Sequence, residues 1–200
     1  MHKKLLLQHS RYFSACLGKE WREGKNNTVK MEEDDPEAFE VFNHFVYVGK
    51  IFTMKESDLS YDAEKNHSTD HEWDRLMRCW MLGDKLQSTT FKDAITDATT
   101  IKKLATRIQL VGVQAQIYEN SAGLCGMRKL VVDFAVWEWD QKTISTYLSH
   151  THPAQLLYDL AVALNKARIS GIQGSAPFKQ ANTCYYHDHG DDSPCYKTLF

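Results

Sequence analysis

The residues best suited to chemistry lie near the C-terminus of the sequence, where two cysteines and two histidines fall within twelve positions. They are Cys184, His187, His189 and Cys195. Thiolates and imidazoles are the ligands that zinc selects, although the spacing C-x2-H-x-H-x5-C is not a standard zinc pattern. On an extended segment the two histidine side chains point the same way and can share one metal. The other interpretation is a loop that is held by packing of Tyr185 and Tyr186 on the helices. We prefer this second interpretation and therefore assign no metal to the four residues.

Other catalytic patterns are missing from the sequence. It contains no G-x-S-x-G nucleophile motif, no P-loop and no G-x-G-x-x-G fingerprint. Cys16 and Cys79 fall within apolar helical patterns, where a cysteine is most simply a small buried hydrophobe. We therefore predict no catalytic residue, no cofactor and no enzymatic activity. A metal-binding protein or small metalloenzyme centred on the C-terminal cysteines and histidines is the alternative.

Composition limits the classes of partner. Of 200 residues 42% are hydrophobic, which is enough for one full core. The 24 basic and 26 acidic residues leave a net charge of -2, so we expect neither nucleic acid nor a membrane surface as a partner. No apolar run reaches the length of a membrane span, and five cysteines without a C-x-x-C pair predict a reducing compartment. These features predict a protein of the cytoplasm or nucleus.

Helical patterns dominate the elements that must position these residues, so we predict a mainly α (α+β) fold. Two short helices broken near Ser10 are predicted first, and Asp35-Pro36 starts a third that Gly49 ends. Further helices are predicted from a capping box at Thr69 to Leu86, from Thr90 to Ile108, from Leu130 to Trp139, and from Pro153 through Leu164. The alternating stretch Thr28 to Met31 is the clearest strand candidate, and 55–71 is predicted to be a surface loop.

Five spaced blocks in the first half carry a resemblance. They are His2-Lys3-x-Leu5-Leu6, Ser10-x-Tyr12-Phe13-x-Ala15-x-Leu17, Trp21-x-Glu23, Asp35-Pro36-Glu37-Ala38-Phe39 and Tyr47-x-Gly49-Lys50-Ile51. In this order they resemble the BTB/POZ domain, most closely its fungal type, and Leu82 to Leu86 and Phe91 to Ala94 continue the likeness. The predicted organisation is a truncated BTB/POZ domain over 1–108, a helical extension over 109–170, and an irregular Cys/His-containing tail over 171–200.

The resemblance implies a BTB/POZ-like helical cluster with a small residual β element, and a protein-protein interaction module. Trp21 and Glu23 lie where ligase-adaptor members of the family dock a cullin, so the resemblance implies partner binding there. In a docking role, the Trp21 ring fills a pocket of the partner and the Glu23 carboxylate fixes the position of the partner along the surface. In the alternative, the Trp21 ring packs on its own helix end and the Glu23 carboxylate is solvated. Strands ordinarily precede the His-Lys block in the family. Their absence from a chain starting at Met1 implies a domain without its N-terminal strands and leaves homodimerisation open.

Overall fold

The computed structural model describes residues 2–18, 22–55, 61–62, 67–68, 71–106, 113–121, 123–147, 152–171, 174–180, 184–190 and 192–200. The helices in these ranges are α1 (Lys3–His9), α2 (Arg11–Leu17), α3 (Arg22–Asn26), α4 (Pro36–Val48), α5 (His71–Lys85), α6 (Thr89–Thr106), α7 (Val113–Glu119), α8 (Gly126–Glu138), α9 (Gln141–Tyr147) and α10 (Ala154–Ser170). Short 3₁₀ helices cover Pro177–Lys179 and Tyr196–Thr198. No helix among the described residues is long and apolar enough to cross a membrane. The predicted mainly α class is confirmed.

The chain divides into two compact units. The first comprises 1–98 and 189–200, and the second comprises 99–188. The boundaries predicted at residues 108 and 170 follow sequence patterns and stay predictions.

Ser10 explains why the first helical stretch is broken in two. Its hydroxyl oxygen accepts a hydrogen bond from the backbone N–H of Phe13 at 3.1 Å and so caps α2. The same hydroxyl donates to the carbonyl oxygen of Leu86 at 2.7 Å. One buried side chain therefore starts α2 and ties it to the end of α5. The cap confirms the break between helices that was predicted near Ser10.

The bounds of α4 follow from three residues. The Asp35 carboxylate accepts from the backbone N–H of Glu37 at 2.9 Å, and Pro36 occupies the first turn, where no N–H is needed. Gly49 ends the helix at φ 71°, in the left-handed region that glycine adopts without steric cost. Both predicted ends of this helix are confirmed.

Aromatic side chains fill the core of the first unit. The rings of Phe42 and Phe91 lie 5.2 Å apart and those of Phe45 and Phe91 lie 5.3 Å apart, each pair tilted or edge to face. Leu86 and Trp80 are fully buried beside them in the same unit. The C-terminal Phe200 packs on Phe45, with 5.5 Å between ring centroids. The last residue of the chain therefore packs against this core, although 51% of it stays exposed.

The β structure lies elsewhere than predicted. Residues 28–31 are not a strand, although their alternation favoured one. The described strands are β1 (Tyr61–Asp62) and β2 (His67–Ser68), which pair antiparallel with Tyr61 opposite Ser68. They lie in the segment predicted to be a loop. Alternation was misleading at 28–31 because a strand needs a partner and none of the described residues pairs with these. Thr69, the predicted cap, lies outside the described residues.

The second unit is built on α7, α8 and α10. Ala135, Trp139 and Leu160 form a buried cluster, and the rings of Phe134 and Phe178 meet edge to face at 4.8 Å. The helices predicted near Leu130 and after Pro153 are present as α8 and α10. The short helices α3, α7 and α9 were not predicted, because their few turns carry too few apolar residues to mark a face.

Candidate functional site

The predicted partner-binding residues fall at α3. Trp21 lies outside the described residues. Glu23 lies in the first turn of α3 and is half-buried, and its role in partner binding stays a prediction. Its carbonyl oxygen accepts from the backbone N–H of Thr28 at 3.2 Å, which turns the chain directly into residues 28–31.

An open apolar groove of about 330 Å³ lies where that segment meets the first helices. Its walls come from α1, α2, residues 27–31 and the start of α4. The lining residues are Leu6, Phe13, Leu17, Asn27, Val29, Met31, Asp34, Asp35, Pro36 and Phe39. A groove of this kind suits an apolar side chain of a protein partner.

A network of acidic and basic side chains joins α4 to α5. Arg75 Nε lies 3.1 Å from Glu37 Oε1, and Arg78 Nη2 lies 3.0 Å from Glu37 Oε2. Lys55 also bonds to Glu37, and Arg78 bonds to Asp35. The Lys55 hydrogen bond, together with the two guanidinium groups and against the effect of burial, lowers the pKa of Glu37 from 4.5 to about 2. The sequence pattern marks Asp35 as the start of a helix and Glu37 as part of a family block, and neither signal predicts this network.

Glu37 should make the protein sensitive to acid. Its carboxylate is more stable as an anion in the folded state than in the unfolded state, so it adds stability above pH 4.5. We expect that contribution to be lost as the pH falls from about 4.5 toward 2. Urea denaturation at several pH values should show a smaller loss of stability over this window in Glu37→Gln than in the native chain. Parallel curves for the two proteins would contradict the role of Glu37.

The predicted metal-type residues come together in one short stretch of chain. We name Cys184, His187, His189 and Cys195 the Cys/His cluster. One Sγ or imidazole nitrogen from each of the four lies within 4.8 Å of the corresponding atoms of the others. Cys184 is exposed and the other three are half-buried. The arrangement provides two sulfur and two nitrogen atoms, which is a donor set that zinc accepts.

Aromatic packing also occurs beside the Cys/His cluster. Tyr186 is buried and donates its hydroxyl hydrogen to Asp133 at 2.7 Å, and Phe178 is buried against Phe134. Tyr185 is 48% exposed, so only one of the two tyrosines pins the loop in the way predicted. Aromatic packing and convergence of the four ligand atoms, which are alternatives in the sequence, both occur in the structure.

The remaining cysteines in apolar patterns behave as small hydrophobes. Cys79 is fully buried in α5, and burial raises the pKa of its thiol from 9.0 to about 12. Cys16 is half-buried in α2. A thiol with a raised pKa is a poor nucleophile at neutral pH, so Cys79 has a packing role.

Comparison with known protein families gives one match. Residues 1–68 match the family model described as the BTB/POZ domain. Over these residues the chain is similar to BTB/POZ domains. No curated protein and no solved structure is significantly similar to the chain. The BTB/POZ match confirms the resemblance carried by the five blocks, whereas the continuation through Leu86 and Ala94 lies beyond it and stays a prediction.

The BTB/POZ match contains Glu23, the residues that line the groove, and Asp35 and Glu37 of the ionic network. Arg75, Arg78 and the Cys/His cluster lie outside it. BTB/POZ domains are protein-protein interaction modules, which gives this region its general function. The groove is therefore a candidate surface for a partner within the matched residues.

Proposed function

We propose that this protein is a non-catalytic adaptor or scaffold for a cullin-type ubiquitin ligase in the cytoplasm or nucleus. The observation that carries the proposal is the BTB/POZ match over residues 1–68, which contains the Trp21-x-Glu23 block. In ligase-adaptor relatives the corresponding segment helps to dock a cullin. The coarse function, protein binding, belongs to the whole family, and the cullin is our choice of partner within it.

Glu23 and the apolar groove supply complementary parts of a docking surface. Glu23 is half-buried in the first turn of α3, so its side chain has fewer orientations than a fully exposed acid and loses less entropy when a partner cation binds it. Residues 28–31 follow α3 directly and contribute Val29 and Met31 to the groove. We expect the cullin to place an apolar side chain in this groove and a cationic side chain against Glu23. The first contact buries apolar area, and the second fixes the position of the cullin on the surface.

Charge reversal at Glu23 should weaken cullin binding. We expect Glu23→Lys to raise the dissociation constant for a purified cullin N-terminal region by about 30-fold or more, since a central contact is worth about 2 kcal/mol. Glu40→Lys is the matched control, because Glu40 is an exposed acid on α4 and the change in net charge is the same. Binding should be measured by calorimetry with a panel of cullins and both variants.

Two results would refute the adaptor proposal. One is the absence of binding between the folded native chain and every cullin of the panel. The other is an equal loss of affinity in the Glu23 and Glu40 variants, which would reduce the effect to net charge. Trp21→Ala adds a second measurement at the apolar part of the block, and we expect it to weaken binding as well.

A further inference from the structure

We propose that the Cys/His cluster is a structural zinc site. The carrying observation is that its two sulfur and two nitrogen ligand atoms all lie within 4.8 Å of one another. The residues that provide them stand within one stretch of twelve positions, so their convergence is a local property of that stretch.

The distances between the ligand atoms are close to those of a tetrahedral site. Zinc bonds of about 2.0 to 2.3 Å place the ligand atoms of a tetrahedron about 3.3 to 3.8 Å apart. The longest observed separation therefore exceeds this by about 1 Å, which small rotations of exposed or half-buried side chains can close. No movement of the backbone is needed for four atoms that are already this close.

Two turns in the backbone bring the ligands together. The backbone N–H of His187 donates to the carbonyl oxygen of Cys184 at 3.0 Å, which closes a turn with a ligand at each end. The backbone N–H of Ser193 donates to the carbonyl oxygen of Gly190 at 3.0 Å, which reverses the chain before Cys195. The irregular spacing is thus compensated by turn geometry, and this explains why no standard zinc pattern is visible in the sequence.

The neighbours of the ligands are held in place by contacts of their own. Asp188 lies between the two histidines and accepts from the backbone N–H of Gly126 at 2.6 Å. A Cβ at Gly126 would lie 1.8 Å from the carbonyl oxygen of Tyr186, so glycine is required for this close approach. Cys195 begins a 3₁₀ helix, and its carbonyl oxygen accepts from the backbone N–H of Thr198 at 2.9 Å. Pre-positioned ligands lower the entropy lost when a metal binds.

The donor set identifies both the metal and its role. Two thiolates with two imidazoles in a tetrahedral arrangement favour zinc, and the two thiolate charges neutralise the divalent ion. Four protein ligands fill the coordination sphere and leave no position for water or substrate. The site is therefore structural, and it stabilises the segment that carries it.

The first measurement is the zinc content of the full chain purified under reducing conditions without chelator. We expect one zinc per chain by elemental analysis. Replacement of zinc by Co²⁺ should give the visible absorption of a tetrahedral centre together with a thiolate-to-cobalt charge-transfer band. Chelator should lower the melting temperature of the native chain, because removal of a ligand that binds only the folded state destabilises it.

Variants assign the site. Cys184→Ser, Cys195→Ser, His187→Asn and His189→Asn should each weaken zinc binding by at least about 100-fold, since loss of even an outer-shell partner typically costs 10- to 100-fold. Cys16→Ser and His44→Asn are the matched controls, because they remove a thiol and an imidazole outside the Cys/His cluster. We expect both controls to keep one zinc and the full effect of chelator on melting. Circular dichroism confirms that each variant is folded.

Three outcomes would overturn the zinc site. The first is a folded native chain that binds no zinc when Zn²⁺ is added to the metal-free protein. The second is zinc binding by the four variants as tight as that of the controls, which would place the metal elsewhere. The third is a disulfide between Cys184 and Cys195, in place of the metal, found by mass spectrometry of the chain purified with reductant. These results are independent of cullin binding, so the zinc site and the proposed function can fail separately.

Discussion

Replacing Leu86 with alanine is expected to lower the free energy of unfolding by about 2 to 5 kcal/mol. Leu86 is fully buried at the end of α5, and its side chain leaves a cavity when it is shortened. Its carbonyl oxygen accepts hydrogen bonds from Ser10 and from the backbone N–H of Tyr12, and alanine retains both. The cost therefore measures packing alone. Urea denaturation tests this: we expect a lower midpoint and an unchanged dependence of the free energy of unfolding on urea concentration.

Phe39 is the matched comparison for Leu86. The sequence pattern places both in the core, but the structure shows Phe39 half-buried at the edge of the apolar groove. We expect Phe39→Ala to cost less than Leu86→Ala, although the ring that it removes is larger. A loss below about 0.5 kcal/mol for Leu86→Ala, or a larger loss for Phe39→Ala, would contradict this assignment of the core.

Replacing Arg75 with methionine is expected to lower the free energy of unfolding by about 3 kcal/mol, at the low end of the cost of breaking a buried ion pair. The Arg75 side chain is only 6% exposed. Its guanidinium bonds to Glu37 and to the carbonyl oxygen of Thr53. Methionine retains most of the volume but leaves these acceptors without that donor. Glu37 keeps Arg78 and Lys55, which is why we expect the lower value.

Lys55→Met is the control for Arg75→Met, because it removes a positive charge from the same carboxylate. The hydrogen bond from Lys55 is the largest single cause that lowers the pKa of Glu37. The Lys55 side chain is nevertheless 54% exposed, so solvent screens its ion pair. We expect Lys55→Met to cost less than about 1 kcal/mol. Equal losses in the two variants would show that burial does not decide the strength of this network.

Local chemistry made several parts of this protein predictable from the sequence. The start of α4 at Asp35-Pro36 and its end at Gly49 depend on residues that act within one turn of the helix. Ser10 caps α2 through a hydrogen bond to a residue three positions away. The BTB/POZ resemblance was recognisable because its blocks keep their order and spacing along the chain, and the family match over residues 1–68 confirms it.

Contacts between distant residues could not be predicted in this way. Glu37 meets Arg75 and Arg78 across 38 and 41 positions, and no local pattern pairs one acid with two particular arginines. The alternating residues 28–31 were predicted as a strand, but strand formation depends on a partner that only the folded chain can bring beside them.

The Cys/His cluster shows the same division. The sequence by itself determined that Cys184, His187, His189 and Cys195 lie close along the chain and carry ligands suited to zinc. Only the tertiary structure decided that these atoms converge, because two turns and the docking of Tyr186 and Asp188 set the direction of each side chain. Residue types depend on the sequence alone, whereas the distances between their side chains depend on how the backbone turns between them.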